Sequence, residues 1–185
     1  NPIGFQGKDV HVQLYTAFAP MVHIGATERV AEQLDLDLIT VAAEPFAVAR
    51  SVIGDDPNAD ISAVLIDVGG GTTDIAVVNE GGVEGTVMYG IGGRSFTKSI
   101  ERDFSIGFEQ AEALKLGLSD GKTPDNKRVS VETALKKTLA VWSSGISLAL
   151  EEFTRLDHLP NRILLCGGGS SLQLISDELS QGAWY

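Results

Sequence analysis

The sequence predicts an α/β domain, a mixed sheet with an antiparallel hairpin at its centre and helices on its faces, and three stretches carry that expectation. The first is Ala-Val-Leu-Ile-Asp-Val-Gly-Gly-Gly-Thr-Thr-Asp-Ile-Ala-Val-Val, residues 63–78. Ala63 to Ile66 read as a buried strand that stops at Asp67, Ile75 to Val78 read as a second, and the glycines between them form a hairpin tip. The second is Ile163-Leu164-Leu165-Cys166, a buried strand whose turn, Gly167-Gly168-Gly169-Ser170-Ser171, leads into a helix over about residues 172–179. The third is a helix over about residues 131–156. There Val131, Leu135, Leu139, Trp142, Ile146, Ala149 and Phe153 recur at helical spacing and give one continuous apolar face.

A chain of 185 residues, 43% hydrophobic and 21% charged, is long enough for one good core or two small lobes. Its net charge of −11 excludes a general affinity for nucleic acid or for an anionic membrane surface, since both require a positive field. With one cysteine, Cys166, no internal disulfide can form, and a reducing compartment, the cytoplasm, is expected. No run of about eighteen apolar residues occurs, and the first residues lack a basic-then-apolar pattern. The chain is therefore expected neither to span a membrane nor to be exported. His11, His23 and His158 are scattered, without Cys or carboxylate at ligand spacing, and read as ordinary surface or half-buried side chains.

In chain order, residues 1–7 read as a loop and the alternation over residues 10–15 as a half-buried strand. After Pro20, Val22, Ala26, Val30 and Leu34 recur every fourth residue with Glu28, Arg29 and Glu32 on the other side, an amphipathic helix. Leu-Ile-Thr-Val-Ala, residues 38–42, reads as a short buried strand. Glu44-Pro45 opens a helix carrying Ala47, Val48, Ala49 and Val52, with proline in the first turn, where its missing N–H costs nothing. Residues 53–62 read as an exposed acidic loop. After the hairpin, residues 79–82 turn and residues 83–89 return as a third strand, ended by Gly92-Gly93. Helices follow over about residues 95–104, with Phe96, Ile100 and Phe104 on one face, and over about residues 108–116. Residues 118–129 read as the most loop-like stretch, and Ser130 with Glu132 as the start of the long helix.

The hairpin tip carries the chemistry. Gly69, Gly70 and Gly71 present backbone N–H groups with no side chains in the way, so an anion such as a phosphate can be cradled there, and Thr72 and Thr73 add hydroxyl donors. Asp67 would repel a phosphate directly, so its chemistry suits holding the waters of a magnesium ion. No Lys follows the glycines and a strand continues after them, which separates this loop from the Walker type; a tight hairpin that needs glycine only for its turn is the other reading. Glu44, at a strand-to-helix junction, is either a ligand-facing carboxylate or a first-turn acid favoured by the helix dipole. Glu112 and Lys115 share one helix face and, taken alone, read as a surface ion pair. Gly167, Gly168 and Gly169 permit close approach of a ligand, and equally of a helix to its strand. Cys166, with no basic neighbour in sequence, reads as a small buried side chain.

Ile-Asp-Val-Gly-Gly-Gly-Thr-Thr-Asp, residues 66–74, resembles the second phosphate motif of the actin and DnaK-chaperone superfamily. Leu-Leu-Cys-Gly-Gly-Gly-Ser-Ser, residues 164–171, resembles its adenosine motif, in matching order and spacing. Ala-Glu-Pro-Phe-Ala-Val-Ala, residues 43–49, is similar to the connection whose glutamate, in the chaperone and MreB branches, helps place magnesium and the attacking water. Asn1-Pro-Ile-Gly-Phe-Gln-Gly, Val10-His11-Val12 and Ala111-Glu112-Ala113-Leu114-Lys115 are similar to the bacterial cell-division family FtsA, with MreB and the pilus protein PilM as neighbouring branches.

The resemblance implies an actin-like, ribonuclease H-like fold with ATP and magnesium as cofactors. It implies that Gly69, Gly70, Gly71, Thr72 and Thr73 cradle phosphates, that Asp67 acts through magnesium-bound water and that Glu44 positions water. Gly92, Gly93, Glu112 and Lys115 would lie near the ribose, and Gly167, Gly168 and Gly169 would face the adenosine. Residues 1–37 would be a remnant of a neighbouring interaction subdomain. Residues 38–185 would be the second half of the nucleotide-binding domain, its outer subdomain reduced to a helical insertion at about residues 105–140. The implied partners are further copies in filaments and other division or assembly proteins, and the implied place is the cytoplasm, at the inner face of the membrane through segments outside this sequence. The superfamily's first phosphate hairpin and the family's membrane-binding helix are missing from the sequence. The resemblance implies weak ATPase activity at most for the whole protein, and, with one phosphate hairpin of two, poor ATP binding without turnover is expected of this chain alone. A DnaK-like ATPase or a sugar or acid kinase, which share the two motifs, is the alternative.

Overall fold

Apolar side chains alternate towards two covered faces of one sheet. In the computed structural model, which describes residues 4, 6–10, 16–54 and 61–182, β1 (Ala63–Val68) and β2 (Thr73–Asn79) form the hairpin. The next strand, β3 (Gly82–Tyr89), pairs antiparallel with β2, and β4 (Ile163–Cys166) lies parallel beside β1. The sheet has four strands in the order β3-β2-β1-β4, so the predicted mixed sheet forms with the hairpin at its centre. In β1, Val64, Ile66 and Val68 join Ile75 and Val77 on one face, while Ala63 and Leu65 join Ala76 and Val78 on the other. A strand covered on both faces reads as an unbroken apolar run, as Ala63 to Ile66 does.

Six helices accompany the sheet among the described residues: α1 (Met21–Gln33), α2 (Glu44–Ile53), α3 (Gly93–Phe104), α4 (Phe108–Ser119), α5 (Asp125–Glu151) and α6 (Gln173–Gln181). Phe96 and Ile100 of α3, Leu135, Trp142 and Ile146 of α5 and Ile175 of α6 fill the larger core, all fully buried. Burial of each such side chain stabilises the fold by about 1.5–3 kcal/mol. The opposite face is covered by α2 through Ala49, flanked by Val48 and Val52. Alanines at positions 49, 63 and 76 keep that layer thin.

Several sequence expectations are corrected. Residues 38–42 form no strand, and Leu38, Ile39 and Val41 are exposed. Strand propensity needs a ladder partner, and among the described residues the sheet offers this segment none. The stretch expected as a loop over residues 118–129 is helical at both ends, since α4 runs to Ser119 and α5 starts at Asp125 after Pro124 rather than after Ser130. The opening of α5 is solvent-facing and stapled by Arg128 Nε donating to Glu132 Oε1 at 3.0 Å, so apolar periodicity does not mark its start. At its other end α5 stops at Glu151, short of residue 156, while the apolar face itself is as expected and Phe153 packs beyond it. The first helix forms as expected, yet Val22, Val30 and Leu34 are exposed and α1 buries no residue. Of the strand expected over residues 10–15, residues 11–15 lie outside the described residues, as do residues 55–60 of the acidic loop.

One buried hydroxyl ties the hairpin to α5. Thr73, fully buried at the base of the tip, donates to the Ile91 carbonyl at 2.7 Å and accepts from Trp142 Nε1 at 2.9 Å. The Tyr89 hydroxyl donates to the Trp142 carbonyl at 3.3 Å, and burial pushes its phenol well above the usual tyrosine range. Thr73→Val keeps the shape and removes both bonds of the hydroxyl, leaving the indole N–H unpaired in the core. Urea unfolding should show a loss of about 2–4 kcal/mol, with Thr73→Ser losing about half of that or less. Equal stability of the Val variant and the parent would show that the bond does not hold the hairpin.

Candidate functional site

Three turns converge at one end of the sheet. The Gly93 N–H donates to the Gly69 carbonyl and the Arg94 N–H to the Gly70 carbonyl, each at 2.8 Å, so the start of α3 is bonded directly to the β1–β2 tip. A side-chain carbon on Gly92 would lie 2.6 Å from the Gly69 carbonyl oxygen, a contact no other residue tolerates. On the β4 side, Gly167 turns with φ 81° and delivers a short 3-10 turn, Gly168–Ser171, against Val68. Between these turns and α4 lies a cavity of about 410 Å³ lined by Gly69, Gly70, Gly93, Arg94, Phe108, Glu112, Lys115, Leu116, Ser119, Gly168, Gly169, Ser171 and Leu172.

The Glu112–Lys115 pair is not a surface pair. Lys115 is 7% exposed, and its ammonium donates to Glu112 Oε2 at 2.8 Å, to Thr97 Oγ1 at 2.8 Å and to the Gly93 carbonyl at 3.1 Å. Its three donors are thus all used. The Thr97 hydroxyl also bonds Glu112. Burial works against ionisation of Glu112, but the hydrogen bonds from Lys115 and Thr97 and the Lys115 charge outweigh it and hold the carboxyl below its ordinary value. The pair locks α4 to the start of α3 on the cavity wall.

Acidic groups gather on the other side of the tip. Asp67 stands opposite Asp74 across the hairpin. Burial raises the Asp74 carboxyl above its ordinary value, the Asp67 charge adding to this while the Thr72 hydroxyl, 3.1 Å away, opposes it. Burial first, and then the Asp67 charge with a smaller part from Glu44, push the Cys166 thiol up to about 11, so it is the protonated small side chain the sequence suggested rather than a nucleophile. Glu44 is exposed and is the first residue of α2, following Ala43 as N-cap; no strand precedes it, contrary to the expected strand-to-helix junction. Its field nevertheless reaches the Asp67–Cys166 cluster.

The residues singled out in the sequence separate into groups. Gly69, Gly70, Gly93, Glu112, Lys115, Gly168 and Gly169 line one cavity. Gly71 and Thr72 stand at the tip, whereas Gly92 and Gly167 shape backbone, and Thr73 turns its hydroxyl into the core rather than towards a ligand. Ser171, the last residue of the adenosine-like motif, lines the cavity too, whereas Arg94, Phe108, Leu116, Ser119 and Leu172 were not foreseen as site residues. Of these only Arg94 carried a signal, as the residue directly after Gly92-Gly93. The Ser119 hydroxyl is buried and has no hydrogen-bond partner among the described residues, an opening for a polar ligand. Glycine cradle, paired lysine and orphan hydroxyl together fit a nucleotide. No three His, Cys, Asp or Glu cluster to hold a metal ion among the described residues; Asp67 is a carboxylate of the kind that can hold a magnesium ion through its waters.

Comparison with solved structures gives the class. The PilM-PilN type IV pilus biogenesis complex superposes with a TM-score of 0.66 at 21% identity, over 85% of this chain and 45% of that one. MreB5 of Spiroplasma citri bound to ADP superposes with a TM-score of 0.64 at 22% identity, over 87% and 58%. The fold is that of the actin-like ATPases. Residues 64–181, more than half of the chain, match the family described as cell division protein FtsA, and the chain belongs to that family. FtsA of Enterococcus hirae is 28% identical over 201 residues, 94% of this chain and 45% of the relative. The chain spans less than half the length of the curated relatives it matches.

The lowered Glu112 carboxyl makes part of the stability pH-dependent. A carboxyl depressed on folding contributes stability above its ordinary value of 4.5, lost as pH falls through the depressed one. In urea unfolding, the stability difference between the parent and Glu112→Gln should be largest at neutral pH and shrink as pH drops below 4.5. A difference independent of pH would contradict the assignment.

Proposed function

We propose that this chain is the nucleotide-binding part of an FtsA-type ATPase, which holds ATP with magnesium in the cavity and uses the nucleotide state to control assembly. The observation that carries this reading is the convergence of Gly69 and Gly70, Gly93, the Glu112–Lys115 pair and Gly168 and Gly169 on one cavity of about 410 Å³. That volume suits a nucleoside phosphate. The MreB5 structure of similar fold contains ADP, which supports the same ligand class here.

Under this reading the backbone N–H groups of Gly70 and Gly71 meet the phosphates, while Gly69, its N–H donated to the Thr72 carbonyl, and Thr72, its hydroxyl donated to Asp74, shape the tip and Thr73 fixes it from below. Gly93, Glu112 and Lys115 meet the ribose, and Gly168, Gly169 and the Ser119 hydroxyl meet the base side. Gly92 and Gly167 serve by bringing the turns together. Bound magnesium would supply charge neutralisation for the phosphates, and Asp67 would hold its waters. Glu44, whose field already reaches Asp67's neighbour Cys166, orients a water at the same end. Residues 1–37 belong in this reading to a neighbouring interaction subdomain, and residues 105–140, α4 with the first part of α5, form the reduced helical insertion. Assembly occurs with further copies and with other division proteins in the cytoplasm. Among the described residues no helix is long and apolar enough to cross a membrane; contact with the inner face of the membrane would come from elsewhere in the whole protein.

Titration of ATP and magnesium against the whole protein tests the site. Gly70→Val puts a branched side chain on the tip and should weaken ATP by roughly 10-fold or more, the worth of one or two charge-assisted hydrogen bonds. Asp67→Ala should remove most of the dependence of ATP affinity on magnesium. ATP affinity unchanged in a folded Gly70→Val protein would end the phosphate reading. For assembly, sedimentation of the whole protein should show larger species with ATP than without, as open head-to-tail contacts produce; a strict monomer in both would favour a free-standing enzyme.

A further inference from the structure

We propose that Arg94 is the phosphate-sensing cation of this cavity, the side chain that makes affinity depend on the number of phosphates the ligand carries. The inference deepens the nucleotide reading above and rests on it. Arg94 is the second residue of α3, and its backbone N–H is fixed to the Gly70 carbonyl at 2.8 Å. Its guanidinium then lies across the tip. A methyl group on Gly70 would sit 3.6 Å from both Nε and Nη2, and one on Gly71 would sit 3.9 Å from Nη1. The planar fork therefore lies beside the glycines of the tip, within reach of an anion seated there, and a guanidinium can bind two phosphate oxygens at once.

Charge singles out the same residue. The charged side chains lining the cavity are Arg94, Glu112 and Lys115. Lys115 and Glu112 neutralise one another, and every donor of Lys115 already has a partner. Arg94 is exposed, and among the described residues no carboxylate pairs with its guanidinium. Among the described residues, the free positive charge of the cavity is thus the one on Arg94. The surroundings make it necessary: the chain carries a net charge of −11, and Asp67 and Asp74 flank the same tip. Without Arg94, a polyphosphate would enter a cavity of zero net charge beside two carboxylates. Each added phosphate would then raise repulsion rather than attraction.

The test is calorimetry of the whole protein with ATP, ADP and AMP, magnesium present throughout, for the parent, Arg94→Ala and Arg94→Lys. The parent should bind ATP most tightly and AMP least. Arg94→Ala should weaken ATP on the order of 10- to 100-fold and AMP by less than about 3-fold, flattening the series, and Arg94→Lys should recover part of the gradient as a point charge without the fork. An unchanged ratio of ATP to AMP affinity in a folded Arg94→Ala protein would overturn the role of Arg94 and leave the nucleotide site standing. Equal weakening of all three ligands would overturn it too, showing that Arg94 merely shapes the tip. Failure of the parent to bind any of the three would overturn both this inference and the nucleotide reading.

Discussion

The cavity depends on backbone touching backbone. The first turn of α3 and the turn after β4 both come to rest against the end of β1, and at Gly92 the clearance is smaller than a methyl group. If either turn stood one side chain further away, the wall carrying Glu112 and Lys115 would no longer face the wall carrying Gly168 and Gly169. The glycines of this chain thus divide by task. Some line the cavity, whereas Gly92 and Gly167 remove space so that elements distant in sequence can meet.

Electrostatics then gives the cavity two unlike ends. At the α4 end a buried cation and a partly exposed anion cancel in a bonded pair, suited to hydroxyl-rich, uncharged parts of a ligand. At the tip Asp67 and Asp74 face each other across the hairpin and Glu44 adds its field, so an anionic group there needs a cation from the protein or one brought with it. A ligand neutral at one end and an anion–metal pair at the other matches both. An acidic protein and a phosphate-binding site are compatible because the compensation is local.

The hairpin and the β4 turn were legible in the sequence because the apolar runs over residues 63–66, 75–78 and 163–165 adjoin glycine turns, although β4 is only half-buried. The apolar face of α5 was legible from its helical spacing, but its start was not: Asp125 to Ser130, Val129 included, are exposed, and a solvent-facing segment without apolar periodicity does not distinguish helix from loop. Residues 38–42 misled in the opposite way, since Leu-Ile-Thr-Val-Ala has strand composition and the lack of a partner is not written in it. At the site, the glycines and the Glu112–Lys115 spacing could be read. Phe108 and Ser119 could not, and Arg94 only through its place after Gly92-Gly93, because what makes them neighbours is the fold of separate segments. Thr73 shows the limit of motif reading most plainly. Adjacent to Thr72 in sequence, it faces the core because successive residues of a strand point to opposite sides.

The bond between Thr73 and Trp142 has an optical consequence. The chain holds two tryptophans, and Trp184 lies outside the described residues. Trp142 is fully buried, and its indole N–H is bonded to a residue beside the tip. The emission of that indole is set by a dry environment and a single hydrogen bond, so any movement of the tip towards or away from α5 alters the bond and with it the fluorescence. The hairpin thereby carries its own built-in reporter, placed behind the ligand-facing surface and in no contact with whatever occupies it.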